Sequence, residues 1–379
     1  MRRSVVRSFA VVAAAAAMVA WSAGSALAAP VWTVQTVPTP GGAGGFLLGV
    51  ACKATGPVCF AVGTTTGSTV PLVAKWNGTT WSPQTVPAPG GNEPRTTSVA
   101  CPSAAVCHVV GWSDTGTTSG AFALKLANGS WVKKLIPLPS GATYVRLQDV
   151  SCTAGNACTA VGFTSEAFSG GPFAVRWNGT KWSLQTVPEA PTGGGTLESV
   201  HCVSATFCLA VGYAGNKAFA AKWNGTAWSL LPVTHPGTAT VDRLNSISCT
   251  SATACTAVGK WQDGGGHNFL LAERWDGASW TIQTPLTTRN SDIVFTGVSC
   301  TSATACNAVG YVVNSSNVAH TIHHSWNGTS WSIKTTPSVA GAVNTSFTDI
   351  SCTAAAVCTG VGVSADAPEH GKPLAERYA

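Results

Sequence analysis

The chain has 379 residues, only 9% of them charged, and a formal net charge of +6. Beside 41 glycines and 15 tryptophans, that composition argues against amphipathic helices and suits short strands joined by tight turns. With no Lys/Arg-rich stretch to neutralise a phosphate backbone, nucleic acid is not an expected partner.

Residues 1–28 read as a signal peptide. Arg2, Arg3 and Arg7 form a positive start, Phe9 to Trp21 is apolar and alanine-rich, and Ala26-Leu27-Ala28 places small residues where a signal peptidase reads. Cleavage after Ala28 is predicted, because the apolar run is shorter than the ~20 residues a spanning helix needs. No second apolar span follows, so residues 29–379 are expected as one secreted, extracellular domain without a membrane span. Losing three arginines lowers its formal charge to +3.

The next segment, Val31-Trp32-Thr33-Val34-Gln35-Thr36-Val37-Pro38, reads as a strand with no partner beside it in sequence. From there one pattern recurs seven times. Its landmarks are the cysteine pairs Cys52/Cys59, Cys101/Cys107, Cys152/Cys158, Cys202/Cys208, Cys249/Cys255, Cys300/Cys306 and Cys352/Cys358, whose first members are 49, 51, 50, 47, 51 and 52 residues apart. A period of about 50 residues marks a repeat architecture. In an exported chain such close pairs predict local disulfides, and neither CxxC spacing nor histidines at fixed offsets accompany them to suggest a metal.

Each copy predicts four strands. The first is the apolar stretch before the first cysteine, such as Leu147 to Cys152, and the second starts at the other cysteine, as in Cys158 to Gly162. The third and fourth, Phe173 to Trp177 and Trp182 to Val187, flank an Asn-Gly or Asp-Gly dipeptide. That dipeptide predicts a two-residue type I′ turn. With Asn77 and Gly78 at the tip, Trp76 would lie opposite Thr79 and meet Trp81 diagonally. Twelve of the fifteen tryptophans fall in this motif, so tryptophan is expected to be packing. The turn also accounts for the Asn-Gly-Thr and Asn-Gly-Ser glycosylation sequons.

The last copy ends at Leu374-Ala375-Glu376-Arg377-Tyr378 and lacks its fourth strand, which Val31 to Pro38 would supply. Such a join removes exposed sheet edges. The fold expected is all-β: a seven-bladed β-propeller of four-stranded antiparallel blades, one disulfide each, the last blade completed by the N-terminal strand.

The Trp-Asn-Gly-Thr-x-Trp hairpins and Ser-Cys-Thr-x-x-x-x-Cys-x-Ala-Val-Gly strands resemble repeats of secreted actinobacterial propeller proteins. Asp276-Gly277-Ala278-Ser279-Trp280 is similar to the Asp-box (BNR) turn of sialidase-like β-propellers. The true Asp box puts a residue between Asp and Gly, and six copies here lack the Asp, so that resemblance implies a fold and does not carry an activity across.

In four-stranded blades the disulfide loops and Asn-Gly turns share one face of the ring, and the loops on the other face vary. Function is expected on the varied face. Arg95, Arg146 and Arg243 each lie six residues before a first cysteine, at the start of an innermost strand, where converging guanidinium groups would bind carboxylates. The competing reading is that Glu93, Asp149 and Asp242 neutralise them. Trp112, Tyr213, Tyr311 and Phe163, with Trp261 one position further on, follow the second strand's glycine and could stack on a sugar or peptide, or simply pack. His320 and His324 would share one strand face, with His323 on the other. Acidic residues on the varied face (Glu93, Glu166, Glu189, Asp263, Asp292, Asp366) are not paired by their spacing, and no HExxH, GxSxG or phosphate-loop motif occurs. No cofactor, metal or catalytic residue is expected. The function expected is a monomeric, non-catalytic binding or scaffold module recognising carbohydrate or protein. The alternative is a sialidase-like glycoside hydrolase or lyase acting on an acidic glycan.

Overall fold

The computed structural model describes residues 30–53, 58–166, 169–286, 292–367 and 371–379, so the predicted signal peptide lies outside the described residues. The described chain is almost entirely antiparallel strand, with one 3-10 turn at Pro40–Gly42. Its hydrogen-bonding order repeats in chain order. One four-stranded sheet, for example, runs Val241–Ser251, Ala254–Gln262, Asn268–Trp275 and Trp280–Gln283, each strand beside the next.

The expectation of seven separate blades is corrected to six sheets, five of four strands and one of eight. The wide sheet contains two four-strand groups, with inner strands Asn92–Ser103 and Tyr144–Ala154, joined by a single parallel bridge between Tyr144 and Ser119. The cause is local. The Ser119 amide donates to the Thr143 carbonyl, and the Arg146 guanidinium reaches across to Ser119 Oγ and Asp114. The N-terminal strand Trp32–Gln35 is the outer strand of the last sheet, pairing Trp32 with Tyr378 and Gln35 with Ala375.

All seven disulfides form within these groups, joining the first strand to the second across the short turn. The second cysteine of each pair lies at the start of its strand, as the repeat predicts, and is buried. Cys107 and Cys208 are 0% exposed, and Cys255 and Cys306 1%. The physical reason is packing between neighbouring groups. Thr159 Oγ1 donates to Cys208 Sγ at 3.6 Å and Thr256 Oγ1 to Cys306 Sγ at 3.5 Å, since a disulfide sulfur has no proton to give. Cys107 packs in an apolar cluster with Val99, Val109 and Trp131, and Cys255 in one with Ile247, Trp275 and Trp280.

The hairpin turns also differ from expectation. Trp76 pairs directly with Trp81, and the same holds for Trp177/Trp182, Trp223/Trp228, Trp275/Trp280 and Trp326/Trp331. Four residues therefore form the loop. Asn77 Oδ1 accepts from the amides of Thr79 and Thr80, and Asp276 Oδ1 does the same for Ala278 and Ser279. The dipeptide needs an oxygen acceptor followed by glycine, which is why Asn and Asp interchange. Among these hairpins only Asn128-Gly129 makes the two-residue turn, with φ of 53° and 77° and Ala127 opposite Ser130.

Seven inner strands surround a central channel: Gly45–Lys53, Asn92–Ser103, Tyr144–Ala154, Thr196–Ser204, Val241–Ser251, Asp292–Ser302 and Asn344–Ala354. Each would present unpaired backbone groups to its neighbour, and side chains satisfy them in three tiers. Four residues before the first cysteine every inner strand carries a β-bulge, at Leu48, Thr97, Gln148, Glu198, Asn245, Thr296 and Thr348. From this tier Thr97 donates to the Leu147 carbonyl, Asn245 to Phe295, Thr296 to Phe347 and Thr348 to Leu47. One residue on, Asp149 accepts from Val200 N, Ser199 from Ile247 N, Ser246 from Val298 N and Asp349 from Val50 N. The serine before the cysteine makes the third tier, with Ser151, Ser248, Ser299 and Ser351 accepting from Cys202, Cys300, Cys352 and Cys52 amides. The last inner strand meets the first through all three tiers. No sheet closes on itself; side chains join the sheets into a ring.

Candidate functional site

The three tiers line a cavity of about 710 Å³ along the ring axis. Every inner strand contributes to its wall, and Arg95 and Trp112 stand at the end away from the disulfides. The disulfide end carries Lys53 and the first cysteines Cys52, Cys101, Cys152 and Cys202. Their partners Cys59, Cys107, Cys158 and Cys208 are buried in the strands behind and do not line it.

The arginines hold fixed positions. Arg146 lies over the Trp112 ring, its Cζ 3.7 Å from the centroid, and pairs with Asp114 at 3.4 Å. Arg95 approaches the same ring at 5.3 Å and the Phe46 ring at 5.7 Å. Arg243 stacks on Tyr213 at 4.1 Å, with its Nε buried and without an acceptor among the described residues. Two clusters result: Arg95, Trp112 and Arg146 where the second and third four-strand groups meet, and Arg243 with Tyr213 and Glu198 further round. Of the three arginines only Arg95 lines the cavity.

Two of the carboxylates that the competing reading names, Asp149 and Asp242, have other partners, and Arg146 is paired by Asp114 instead. Asp149 accepts from Ser98, Ser199 and the Val150 and Val200 amides. Asp242 is buried against Lys217 Nζ at 3.0 Å, His235 Nδ1 at 2.8 Å and the Ala218 amide. Arg95 has no hydrogen-bond acceptor or ion pair among the described residues, so aromatic faces hold a guanidinium whose donors stay free.

Glu198 sits in the bulge tier, its Oε2 accepting from Gln148 Nε2 at 3.1 Å and Oε1 from Thr196 Oγ1 at 3.4 Å. Burial pushes its carboxyl up, while these hydrogen bonds and Arg243 pull it back. Tyr213 is raised by burial and by the Glu198 charge, with Arg243 opposing. Elsewhere on the wall burial carries Asp349 up to about 7 and raises Asp149.

The remaining candidates stand apart. Trp261 stacks face to face on Phe269, with centroids 4.3 Å apart. Burial and Asp292 raise the Tyr311 phenol, and Asp292 pairs with Lys260 at 3.2 Å. His323 accepts from Trp32 Nε1, while His324 sits edge-on to Phe295. The Glu166 side chain lies outside the described residues. Sequence reasoning missed the bulge tier. Its only signal is that the fourth residue before the first cysteine varies (Leu, Thr, Gln, Glu, Asn, Thr, Thr) inside an otherwise uniform repeat.

Sheets set radially about a channel, each with its first strand innermost, define one architecture. The fold is a β-propeller. A YCF48 chain bound to a D1 peptide is similar over 92% of this chain and 95% of its own, with 14% identity and a TM-score of 0.54. The six-bladed propeller lectin of the fungus Aleuria aurantia, with its fucose recognition, aligns over 78% of this chain and 97% of its own, at 12% identity and a TM-score of 0.49. No protein-family model matches the sequence, and no curated protein matches it. No helix among the described residues is long and apolar enough to cross a membrane, and seven disulfides fit an oxidising compartment.

Proposed function

We propose that this propeller is a secreted, non-catalytic binding module that takes an acidic group of a carbohydrate or protein at the channel mouth on its varied face. The observation carrying this reading is Arg95. The repeated polar residues are committed to joining the sheets, whereas this guanidinium is held between Phe46 and Trp112, lines the cavity and keeps its donors free. A carboxylate there would gain a bidentate, charge-assisted pair. The flat aromatic faces suit sugar stacking less well, since Trp112 and Tyr213 carry arginines and Trp261 carries Phe269. Screening a panel of acidic glycans and of peptides with free carboxylates tests this. The expected result is a ligand whose affinity drops about tenfold or more in Arg95→Ala, the loss of one charge-assisted contact. Unchanged binding by Arg95→Ala would refute the assignment.

A second reading is a sialidase-like glycoside hydrolase or lyase. It is favoured by the mutual interaction of Glu198, Tyr213 and Arg243, which sets a phenol, a carboxyl and a guanidinium beside the channel wall. In that case wild-type protein turns over an acidic glycan and Tyr213→Phe does not. No turnover by the wild type removes this reading.

A further inference from the structure

We propose that the seam between the last and first inner strands, on the disulfide face, binds a tetrahedral oxyanion, phosphate or a phosphomonoester, between Lys53 and Arg377. A cavity of about 230 Å³ opens there, lined by both cations and by Ser351, Thr353 and Thr359, with no carboxylate in its wall among the described residues. Lys53 Nζ has no hydrogen bond or ion pair among the described residues. Arg377 spends one N–H on Thr359 Oγ1 at 3.2 Å and stacks at 5.2 Å on Trp76, leaving its other donors free. Ser351 Oγ accepts from the Cys52 amide, so its own proton remains to be donated.

The repeat makes this seam exceptional. Arg176 and Arg274 occupy the place of Arg377 in other groups, but Arg176 also bonds the Ala205 carbonyl. The residue after the first cysteine is Pro102, Thr153, Val203, Thr250, Thr301 or Thr353 elsewhere and lysine only at Lys53. Two positive charges thus face one cavity without a counter-charge among the described residues. Burial lowers the pKa of both, as expected of cations partly stripped of water and unpaired. An oxyanion would pair with both cations and accept from the Ser351 hydroxyl, since Thr353 already donates to the Val357 carbonyl and Thr359 to Cys59 Sγ. The site is on the face opposite Arg95 and stands or falls independently of the binding function proposed above.

Isothermal titration of the whole protein at pH 7 and fixed ionic strength, with inorganic phosphate and with glycerol 2-phosphate, provides the test. Saturable binding of one equivalent is expected. Lys53→Gln should weaken it about tenfold, the value of one charge-assisted contact. Lys125→Gln, at the position of Arg377 in another group, should leave it unchanged. Tighter binding of inorganic phosphate marks the free ion as the ligand, and tighter binding of the ester marks a phosphate carried on a larger molecule. Absence of saturable binding, or equal affinity in Lys53→Gln, overturns the proposal.

Discussion

At the scale of single residues, His323 shows how a polar side chain anchors the N-terminal strand. Trp32 Nε1 donates to His323 Nδ1 at 3.1 Å, which places the ring proton on Nε2 and directs it to Asn307 Oδ1 at 2.9 Å. The imidazole also meets Trp32 and Tyr378 edge-on, with centroids 5.2 and 5.1 Å away. Burial pushes its pKa down to about 3, so it stays neutral and both nitrogens are committed to structure. Replacing it by leucine keeps most of the volume but strands the buried indole N–H, while Asn307 Oδ1 keeps the Ser325 hydroxyl as donor. We expect His323→Leu to cost about 2 kcal/mol, the penalty of one buried donor left unpaired. Urea unfolding followed by tryptophan fluorescence measures it. A midpoint equal to wild type would show that the bond contributes little to holding that strand.

At the scale of the strand, the bulge and the glycine opposite it form one device. A Cβ on Gly162 would lie 1.9 Å from the Arg146 carbonyl oxygen, and one on Gly259 2.0 Å from that of Arg243. The glycine of each Ala-Val-Gly therefore lets the bulged strand approach, and the bulge turns a side chain into the channel. Gly162→Ala should destabilise by about 3 kcal/mol, the upper range of overpacking, because backbone rather than a mobile side chain must move. A loss within error of zero in urea melts would mean that the bulge relaxes freely. Cysteine, glycine and tryptophan recur because disulfide, close approach and hairpin packing each demand one residue type, and that made the strands legible. The pairing of Cys107, Cys208, Cys255 and Cys306 was legible for the same reason, but their burial was not, because it depends on which neighbouring group packs over them. The bulge tier was illegible because leucine, threonine, glutamine, glutamate and asparagine all serve there. The Asn-Gly hairpin was misread because φ preference and side-chain capping select the same dipeptide. The single bridge from Tyr144 to Ser119 depends on Arg146 reaching a neighbouring group, and so do the aromatic seats of all three arginines. Spacing within one repeat carries no record of contacts between repeats.

At the scale of the whole ring, buried ionisable groups packed within and between sheets make stability depend on pH. Four histidines are pushed down from 6.5 by burial: His108, His201 and His324 to about 4, and His323 to about 3. Unfolding lets them take up protons, so their contribution is complete above pH 6.5 and is lost as pH falls towards 4. Five carboxyls move the other way. Glu273 and Glu376, both fully buried, rise to about 8, Asp349 rises to about 7, and Asp149 and Glu198 are raised. Each raised acid contributes fully below its unfolded value and loses that contribution as pH climbs through its folded one. Between pH 4.5 and 6.5 the two sets oppose each other. Above 6.5 the unfolded-state histidines lose their remaining protons within about one pH unit, and the acids outweigh them. Stability must therefore fall from pH 6.5 to 8, by at most about 1.4 kcal/mol per pH unit for each acid still protonated in the native state. Glu376 lies opposite Val34 of the N-terminal strand, so its ionisation strains the sheet that the two chain ends share. Urea melts at pH 6.5 and pH 8 measure the decline, and Glu273→Gln with Glu376→Gln should remove most of it by abolishing both titrations. A wild-type curve that is level or rising over this interval would mean that water or rearrangement relieves the two glutamates, and that the ring does not hold them protonated.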